Sequence, residues 1–334
     1  MRLTSIDVGT NTILMLVADM AADGTVSPVR DEQVIARLGK GVDADRRITA
    51  ETSDRVLRFL QDYRAISESL HSEKIIACGT SALRDASNTR EFIRFVKEKL
   101  GLEITVLSGK EEAELTYLGA VSEFSSLGAD QPLAVLDIGG GSTELTTGIG
   151  SSVTSTVSLN LGCVRLTERV LLSSPPTTQA LNHAMSEVRD AVLSLPQLPP
   201  QIRLIGVAGT VTTLAAIDLK LESYVRSRVS GHFLTIEAIE RVFSKLRSYT
   251  LEQMAREFPQ IESGRADIIL GGIMILMESM KRFGVRSIMV SDRGLRYGMA
   301  QREFSSRAAF GCRWGKGKLF SRSICVPHGI SSQI

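Results

Sequence analysis

The sequence predicts an α/β protein built from two similar domains that face each other across a cleft. Strands and helices alternate along most of the chain, a pattern typical of mixed α/β sheets. Two strands joined by a glycine-containing polar turn occur around residues 7–12 and again around residues 137–144, which indicates an internal duplication. The 334 residues are enough for two domains, and facing domains would point both turns into one cleft.

The first half is predicted to be an antiparallel meander followed by alternating helices and strands. Apolar runs separated by short polar turns give three strands, at residues 3–8, 13–18 and 26–34. Thr49 is predicted to cap a long amphipathic helix, whose apolar face carries Val56, Phe59, Leu60, Tyr63 and Ile66. The remaining elements are a strand at 74–78, a helix around 91–100 that ends at Gly101, and a strand at 103–107.

The second half follows a polar stretch of small residues at 123–131. We therefore predict a first domain of residues 1–125 and a second domain of residues 126–303. Its predicted elements are strands at 132–138, 145–148 and 153–159, a helix at 177–195, a strand at 203–207, a helix through Ile217, a helix at 266–283, a strand at 287–290 and a final helix opened by residues 292–296. Residues 304–334 form a basic tail without acidic residues, predicted to lie outside the core and to be poorly ordered.

Composition argues against several classes of function. The net charge is only +2, which gives no reason to expect a nucleic-acid partner. The longest apolar stretch, residues 268–277, is far shorter than the roughly 20 residues that cross a bilayer, and the N-terminus lacks a signal-peptide pattern. The four cysteines form no CxxC pair, and no two histidines are close in sequence, which argues against a histidine-built zinc site. A cytoplasmic protein with reduced thiols and no membrane partner is expected.

The clearest chemical motif is residues 137–144 (DIGGGSTE), at the end of a predicted strand. Gly139, Gly140 and Gly141 would let a phosphate approach bare backbone amides, and the Ser142 hydroxyl adds a donor. Asp137 could hold a divalent cation, directly or through water. Three glycines could also form an ordinary hairpin turn. A turn needs neither the preceding acid nor the Ser-Thr-Glu that follows, so we favour a phosphate site.

Two further loops resemble this motif more weakly. Residues 7–12 (DVGTNT) repeat the scheme with fewer glycines, and the candidate positions are Asp7, Gly9, Thr10, Asn11 and Thr12. Residues 206–213 (GVAGTVTT) join a strand to a helix, whose N-terminus could bind an anion near Gly209 and Thr210. The alternative for the second loop is that Thr210 simply caps the helix.

Charged residues outside the glycine loops are ambiguous by themselves. Glu111 and Glu112 lie in the first turn of a predicted helix, where acids commonly complement the helix dipole at the surface. Arg84 follows a strand and could clamp phosphate oxygens with its planar guanidinium. An arginine at such a position is also common as a surface residue or as the partner in an ion pair.

Together these stretches resemble the exopolyphosphatase and guanosine pentaphosphatase family, a branch of the actin, sugar kinase and heat-shock chaperone ATPase superfamily. The matching stretches, in family order, are residues 6–12 (IDVGTNT), 79–88 (GTSALRDASN), 107–113 (LSGKEEA), 136–145 (LDIGGGSTEL), 206–214 (GVAGTVTTL), 264–267 (GRAD) and 291–298 (SDRGLRYG). The resemblance covers residues 1–303 and implies duplicated actin-like domains of the ribonuclease H-like type, in the short two-domain form.

The resemblance also implies roles for particular residues. Glu112 resembles the family's catalytic glutamate, which activates the attacking water, whereas its neighbour Glu111 is the weaker candidate. Glu144 matches a second glutamate that places water or metal, and Asp137 matches the acid associated with Mg²⁺. The phosphate-contacting positions are matched by Asn11, Arg84, Gly139, Gly140, Gly141, Ser142, Gly209 and Thr210.

The function implied is hydrolysis of terminal phosphoanhydride bonds, with release of orthophosphate from inorganic polyphosphate or guanosine pentaphosphate. The residues do not decide between these two substrates, and the oligomeric state stays open, with a homodimer as one expectation. One alternative is an actin-like kinase that transfers phosphate to an acceptor. The other is a non-catalytic sensor of guanosine penta- or tetraphosphate, which would gain nothing from the two glutamates.

Overall fold

The computed structural model describes residues 1–127, 130–262 and 264–311. The strands are β1 (Arg2–Val8), β2 (Thr12–Met20), β3 (Val26–Ile35), β4 (Lys74–Gly79), β5 (Ile104–Val106), β6 (Pro132–Ile138), β7 (Thr143–Ile149), β8 (Ser152–Leu159), β9 (Arg203–Val207), β10 (Phe233–Thr235) and β11 (Ser287–Val290). The helices are α1 (Val42–Asp45), α2 (Ala50–Ser69), α3 (Ser81–Asp85), α4 (Thr89–Leu100), α5 (Gly109–Val121), α6 (Cys163–Val170), α7 (Thr178–Val192), α8 (Ala208–Asp218), α9 (Arg226–Val229), α10 (Ile236–Leu246), α11 (Leu251–Glu257), α12 (Ile269–Phe283) and α13 (Leu295–Gly311), with a short 3-10 helix at Ser122–Leu127.

The first half forms a mixed sheet with strand order β3-β2-β1-β4-β5. β1, β2 and β3 are the predicted antiparallel meander, and β1 also pairs in parallel with β4. β1 is therefore central and buried on both faces, and even its polar residues Thr4 and Ser5 are buried. Because β1 and β4 are parallel, Asp7 and Gly79 end at the same edge of the sheet.

The second half repeats this arrangement in a sheet with strand order β8-β7-β6-β9-β11-β10. β6, β7 and β8 form the second meander, and β6 pairs in parallel with β9. Asp137 lies at the end of β6 and pairs with Glu144 of β7, as Asp7 of β1 pairs with Leu14 of β2. The predicted duplication and the α/β fold class are confirmed.

Each half contributes one long helix that packs on the sheet of the other half. α5, from the first half, packs against β6, β7 and β8, whereas α13, from the end of the chain, packs against β1 and β2. The two helices also pack against each other, and a Cβ atom added at Gly298 of α13 would overlap the Leu115 carbonyl of α5. The crossing of α5 and α13 therefore lies where the two halves meet.

Most of the predicted elements are present with shifted ends. Thr49 and Thr177 cap α2 and α7 through their side chains, and Gly101 ends α4 in a left-handed conformation, with a φ of 62°. Sequence analysis missed the short elements α1, α3, α6, α9, β10, α10 and α11, although α6 and α10 each have a clear apolar face. Within the described ranges, no helix combines the length and apolar character needed to cross a bilayer.

The predicted tail begins too early. α13 runs on to Gly311, and the Phe304 side chain packs against an apolar cluster that includes Leu3, Leu16 and Tyr297. The start of the tail is therefore part of a helix that covers the first sheet. The rest of the predicted tail, residues 312–334, lies outside the described residues. The predicted boundary at residues 125 and 126 stays a prediction.

Candidate active site

The turns of the two hairpins meet at the centre of the molecule. Each turn is closed by a backbone hydrogen bond, from Gly9 N to Thr12 O at 3.1 Å and from Gly139 N to Ser142 O at 3.0 Å. A Cβ atom added at Gly140 would lie 2.9 Å from the Thr10 Cβ atom, so only glycine lets the two turns approach this closely. They border a cavity of about 160 Å³.

The cavity brings together most of the site residues predicted from the sequence. Those that line it are Asp7, Gly9, Thr10, Asn11, Thr12, Glu112, Asp137, Gly139, Gly140, Gly141, Ser142, Gly209 and Thr210. Arg84 and Glu144 are not in the wall. Arg84 instead contacts the wall residues Glu112 and Ser142, and Glu144 is buried beneath them on β7.

Other lining residues were missed by sequence reasoning. They are Leu14, Gln33, Thr80, Ser81, Ile138, Cys163, Val207, Ala208, Thr212, Arg265, Ile268, Asp292, Gly294, Leu295 and Arg296. Several of them lie within the stretches that match the family, among them Thr80, Ser81, Arg265, Asp292 and Arg296. The resemblance could therefore have identified these five residues, whereas the charge pattern alone could not. Cys163 opens α6, which sequence analysis did not predict although the helix has a clear apolar face.

Four carboxyl groups lie close together at or beneath the cavity wall. Burial, followed by the charges of Glu112 and Asp137, raises the pKa of Asp7 well above its ordinary value. Burial, then the charge of Glu112, raises the pKa of Asp137 to about 7. Burial and these same neighbouring charges also raise the pKa of Glu144. Each carboxylate thus disfavours ionisation of the others, because little water screens them.

Glu112 reaches the cavity from the first turn of α5. Ser108 and Glu111 form a reciprocal capping box at the start of this helix, in which the Glu111 carboxylate accepts a hydrogen bond from the Ser108 backbone. Glu112, the next residue, points inward and is buried. Arg84 Nη1 donates to Glu112 Oε2 at 2.5 Å. Burial raises the pKa of Glu112, and the Arg84 charge opposes that shift.

Arg84 is an ion-pair partner in this structure and does not stand alone as a phosphate clamp. Its Nη1 also donates to Leu107 O at 3.0 Å, and its Nη2 donates to Ser142 Oγ at 3.4 Å. The guanidinium therefore joins α3, α5 and the second hairpin turn. A phosphate at the cavity would compete with Glu112 for the same donors.

The N-terminus of α8 forms another side of the cavity. The helix begins at Ala208, two residues before Thr210, and no side chain caps it. Thr210 therefore does not act as the N-cap, which was the alternative interpretation of this loop. Ala208 has a φ of 70°, a left-handed conformation that is rare for a residue with a side chain. The first residues of the helix line the cavity, and the first amides of any helix lack an intrahelical acceptor.

The residues present fit a divalent cation. Asp7 Oδ1 and Glu144 Oε2 are buried and have no hydrogen-bond partner among the described residues. In that same part of the chain, no group of three or more His, Cys, Asp or Glu side chains forms a preformed metal site. Mg²⁺ commonly uses only one or two carboxylates together with waters and substrate phosphates, so this donor set is suitable for it.

Fold and site together define a class of protein that acts on phosphates held between two halves of a duplicated fold. Backbone amides at glycine turns and at a helix N-terminus surround one cavity, and a buried glutamate enters it. The model of the Ppx/GppA phosphatase family matches residues 16–306. The chain belongs to this family of phosphoanhydride hydrolases.

Individual relatives agree with this assignment. Exopolyphosphatase 2 of Mycobacterium tuberculosis is 36% identical over 320 residues, which cover 90% of this chain and 97% of that protein. A crystal structure of the Aquifex aeolicus member of the Ppx/GppA family has a TM-score of 0.78 at 30% identity, and the match covers 92% of this chain and 98% of that one. An exopolyphosphatase from Cytophaga hutchinsonii has a TM-score of 0.82 at 26% identity, with the same coverage.

Proposed function

We propose that the protein releases orthophosphate from the end of inorganic polyphosphate. The observation that carries the proposal is that two glycine turns, the N-terminus of α8 and Glu112 converge on one small cavity. A volume of about 160 Å³ suits a terminal phosphoryl group with an attacking water, whereas a longer stretch of chain would have to extend outside it. The name of the Mycobacterium tuberculosis relative, exopolyphosphatase 2, agrees with this substrate.

The physical problem in this reaction is attack on a phosphorus atom already surrounded by negative oxygens. The backbone amides of the turns and of α8 would bind those oxygens, and fixed dipoles of this kind contribute strongly to rate when water is excluded. As the substrate enters, a phosphate oxygen would replace the Glu112 carboxylate as the hydrogen-bond partner of Arg84. The freed Glu112 carboxylate would then accept a proton from water, a role worth about 10²–10⁴-fold.

We further propose that Mg²⁺ binds at the carboxyl ends of β1 and β6. Asp137 and Glu144 would hold it, directly or through water, with the nearby Asp7. When bound, the cation would supply positive charge that offsets the negative charge of the phosphate groups. Its charge would also remove the mutual repulsion that raises the pKa of these buried carboxyls.

The test of the proposed base compares two adjacent glutamates. Glu112→Gln should lower kcat on polyphosphate with Mg²⁺ by about 10²–10⁴-fold and leave KM nearly unchanged, because the amide cannot accept the proton. Glu111→Gln is the matched control, since Gln also supports the capping box at the same helix turn. Phosphate release is measured without any added acceptor.

Each outcome of this comparison has a defined meaning. Full turnover by Glu112→Gln, or an equal loss in both variants, would show that Glu112 is not the base. Phosphate release that requires an acceptor would support the actin-like kinase instead. Tight nucleotide binding without release by the wild type would support the non-catalytic sensor.

Guanosine pentaphosphate is a second candidate substrate because a larger cavity continues from the first. This second cavity, of about 580 Å³, shares Gln33, Arg265 and Arg296 with the phosphate cavity. Its charged lining residues are Arg30, Arg226, Arg265, Arg296, Asp31, Glu32, Glu222, Glu262 and Asp292. Four arginines against five carboxylates do not favour a polyanion. Such a wall suits an uncharged, hydrogen-bonding group such as a nucleoside.

A tyrosine variant separates the two substrates. Tyr224 lines the second cavity and is half exposed, so its ring can stack on a base. If guanosine pentaphosphate is a substrate, Tyr224→Ala should raise its KM by about tenfold or more and leave polyphosphate kinetics unchanged. Phe233→Ala, at a similarly exposed aromatic outside both cavities, is the control. If the wild type, Tyr224→Ala and Phe233→Ala have equal KM values for the nucleotide, the base does not bind in this cavity.

A further inference from the structure

One arginine on α6 makes contacts that the proposed reaction does not by itself require. Arg165 lies at 4% exposure, although arginine is almost never fully buried unless it is paired. Its Nε donates to Gly141 O at 2.8 Å, inside the second hairpin turn. Its two terminal nitrogens form ion pairs with Asp43 and Asp85, which both come from the first half of the chain.

These partners contact all three nitrogens of the guanidinium. The two carboxylates neutralise the charge, and a carbonyl takes the remaining nitrogen, so the cost of burying the group is offset only while all three partners are in place. Asp43 belongs to α1 and Asp85 ends α3, whereas Arg165 and Gly141 belong to the second half. Separating the halves would leave a buried cation without its partners.

The same contacts lead directly to the proposed catalytic groups. Asp85 follows Arg84 in the short helix α3, and Arg84 is bound to both Glu112 and Ser142. Gly141 is part of the turn that borders the phosphate cavity. Arg165 therefore fixes one end of α3 and one glycine turn at the same time.

We propose that Arg165 is a positioning residue that links closure of the two halves to assembly of the active site. It touches neither the cavity nor the proposed base, and it acts by holding α3, with Arg84, against the second hairpin turn. The proposal rests on the proposed function for its effect on rate, but its effect on closure does not depend on any activity.

A neighbouring arginine provides the matched control. Arg169 lies one turn further along α6, pairs with the same Asp43 at 2.6 Å and also pairs with Glu187 at 3.4 Å. It is 43% exposed, and none of its hydrogen bonds or ion pairs with described residues reaches Gly141 or Asp85. Removing Arg169 thus deletes an ion pair between the halves without disturbing the turn or α3.

The experiment compares Arg165→Met, Arg165→Lys and Arg169→Met in the full chain. On polyphosphate with Mg²⁺, we expect Arg165→Met to lower kcat by about 10²-fold, the size of effect produced by small misplacement of reacting groups. Arg165→Lys should recover only part of this rate, because lysine cannot serve three partners in a planar fork. Arg169→Met should stay within about twofold of the wild type.

Closure is measured separately from activity. Spin labels on two exposed helix positions, Asp54 of α2 and Glu237 of α10, report the distance between the halves, and thermal unfolding reports the fold. We expect a longer or broader distance distribution for folded Arg165→Met and an unchanged one for Arg169→Met. Asp85→Asn, which keeps the shape of the partner, is the second variant and should broaden the distribution in the same direction.

The outcomes distinguish this proposal from the proposed function. If folded Arg165→Met and Asp85→Asn both keep the wild-type distance, the proposal is overturned. It is also overturned if Arg165→Met and Arg169→Met lose kcat equally. If wild-type protein releases no phosphate while Arg165→Met still opens the halves, the proposed function fails and the role of Arg165 in closure stands.

Discussion

At the scale of single residues, the site is a set of buried carboxyl groups held close together against their mutual repulsion. Asp7, Asp137 and Glu144 have raised pKa values, first because they are buried and then because they face one another and Glu112. A binding site that is strained in this way without its ligand is stabilised when a cation or substrate arrives. The pH dependence of stability follows from the same shifts.

Asp137→Asn should stabilise the metal-free protein at neutral pH. Folding raises the pKa of Asp137 from 3.8 to about 7, so the unfolded chain loses this proton at lower pH than the folded chain. The carboxyl therefore costs no stability below about pH 4, and its penalty grows as pH rises to about 7 and is level above that. The midpoint of thermal unfolding is measured in EDTA from pH 5 to pH 9, and the advantage of the variant should increase over the lower part of this range.

Two controls accompany this measurement. Asp54→Asn, at an exposed position of α2, should shift the midpoint little at any pH. Adding Mg²⁺ should raise the midpoint of the wild type more than that of Asp137→Asn. A constant difference between the variant and the wild type across the whole pH range would contradict the raised pKa.

At the scale of elements, the crossing of α5 and α13 sets the position of Glu112. Backbones approach closely there because Gly119 and Gly298 present no side chains, and a Cβ atom at either would overlap the opposite helix. α5 packs on the second sheet and α13 on the first, so this crossing also joins the halves. A change at the crossing should act on stability and on catalysis together.

Gly298→Ala should destabilise the protein although alanine is the better helix former. The added Cβ would lie 1.8 Å from the Leu115 carbonyl oxygen, and because backbone cannot rotate away, the cost is at the upper end of about 1–3 kcal/mol, against a gain in helix propensity of about 1 kcal/mol. We expect a lower denaturation midpoint and a lower kcat, because α5 carries Glu112. Gly294→Ala is the control for stability, since a Cβ there meets no atom within 4 Å. Equal midpoints in the two variants would mean that the crossing relaxes freely.

At the scale of the whole molecule, each half needs the other to bury its apolar surface. The first sheet is covered on one face by α13, whose Tyr297 and Ala300 pack on Leu3 and Leu16. The apolar cluster around α5 contains Tyr117 and Ala120 together with Leu133 and Val135 of β6. Ion pairs such as Arg226 with Asp31 add further contacts between the halves.

Residues 1–127 expressed alone should therefore fail to fold cooperatively. This fragment would expose the face of the first sheet that α13 covers and the face of α5 that packs on β6. We expect a broad urea transition and strong binding of a hydrophobic dye, measured beside the full chain, which should unfold sharply. A sharp transition for the fragment would show that the first half is an independent folding unit.

The sequence alone determined the duplicated α/β fold and the identity of nearly half of the residues that line the cavity. The spacing of apolar residues and the residue types of turns are local signals. Both glycine turns directly follow strands that this spacing predicts. The family resemblance added Glu112, which the helix pattern by itself would have placed at the surface. The cytoplasmic location and the homodimer stay predictions.

Only the tertiary structure decided which polar side chains face one another. Arg84 could have been a free clamp or an ion-pair partner, and in the folded chain its guanidinium reaches Glu112. Arg165 lies on an amphipathic helix, yet its charge is buried among groups from both halves. Such contacts join residues far apart in the chain, and local periodicity holds no information about them, because burial and ion pairing arise only when the two sheets are brought together.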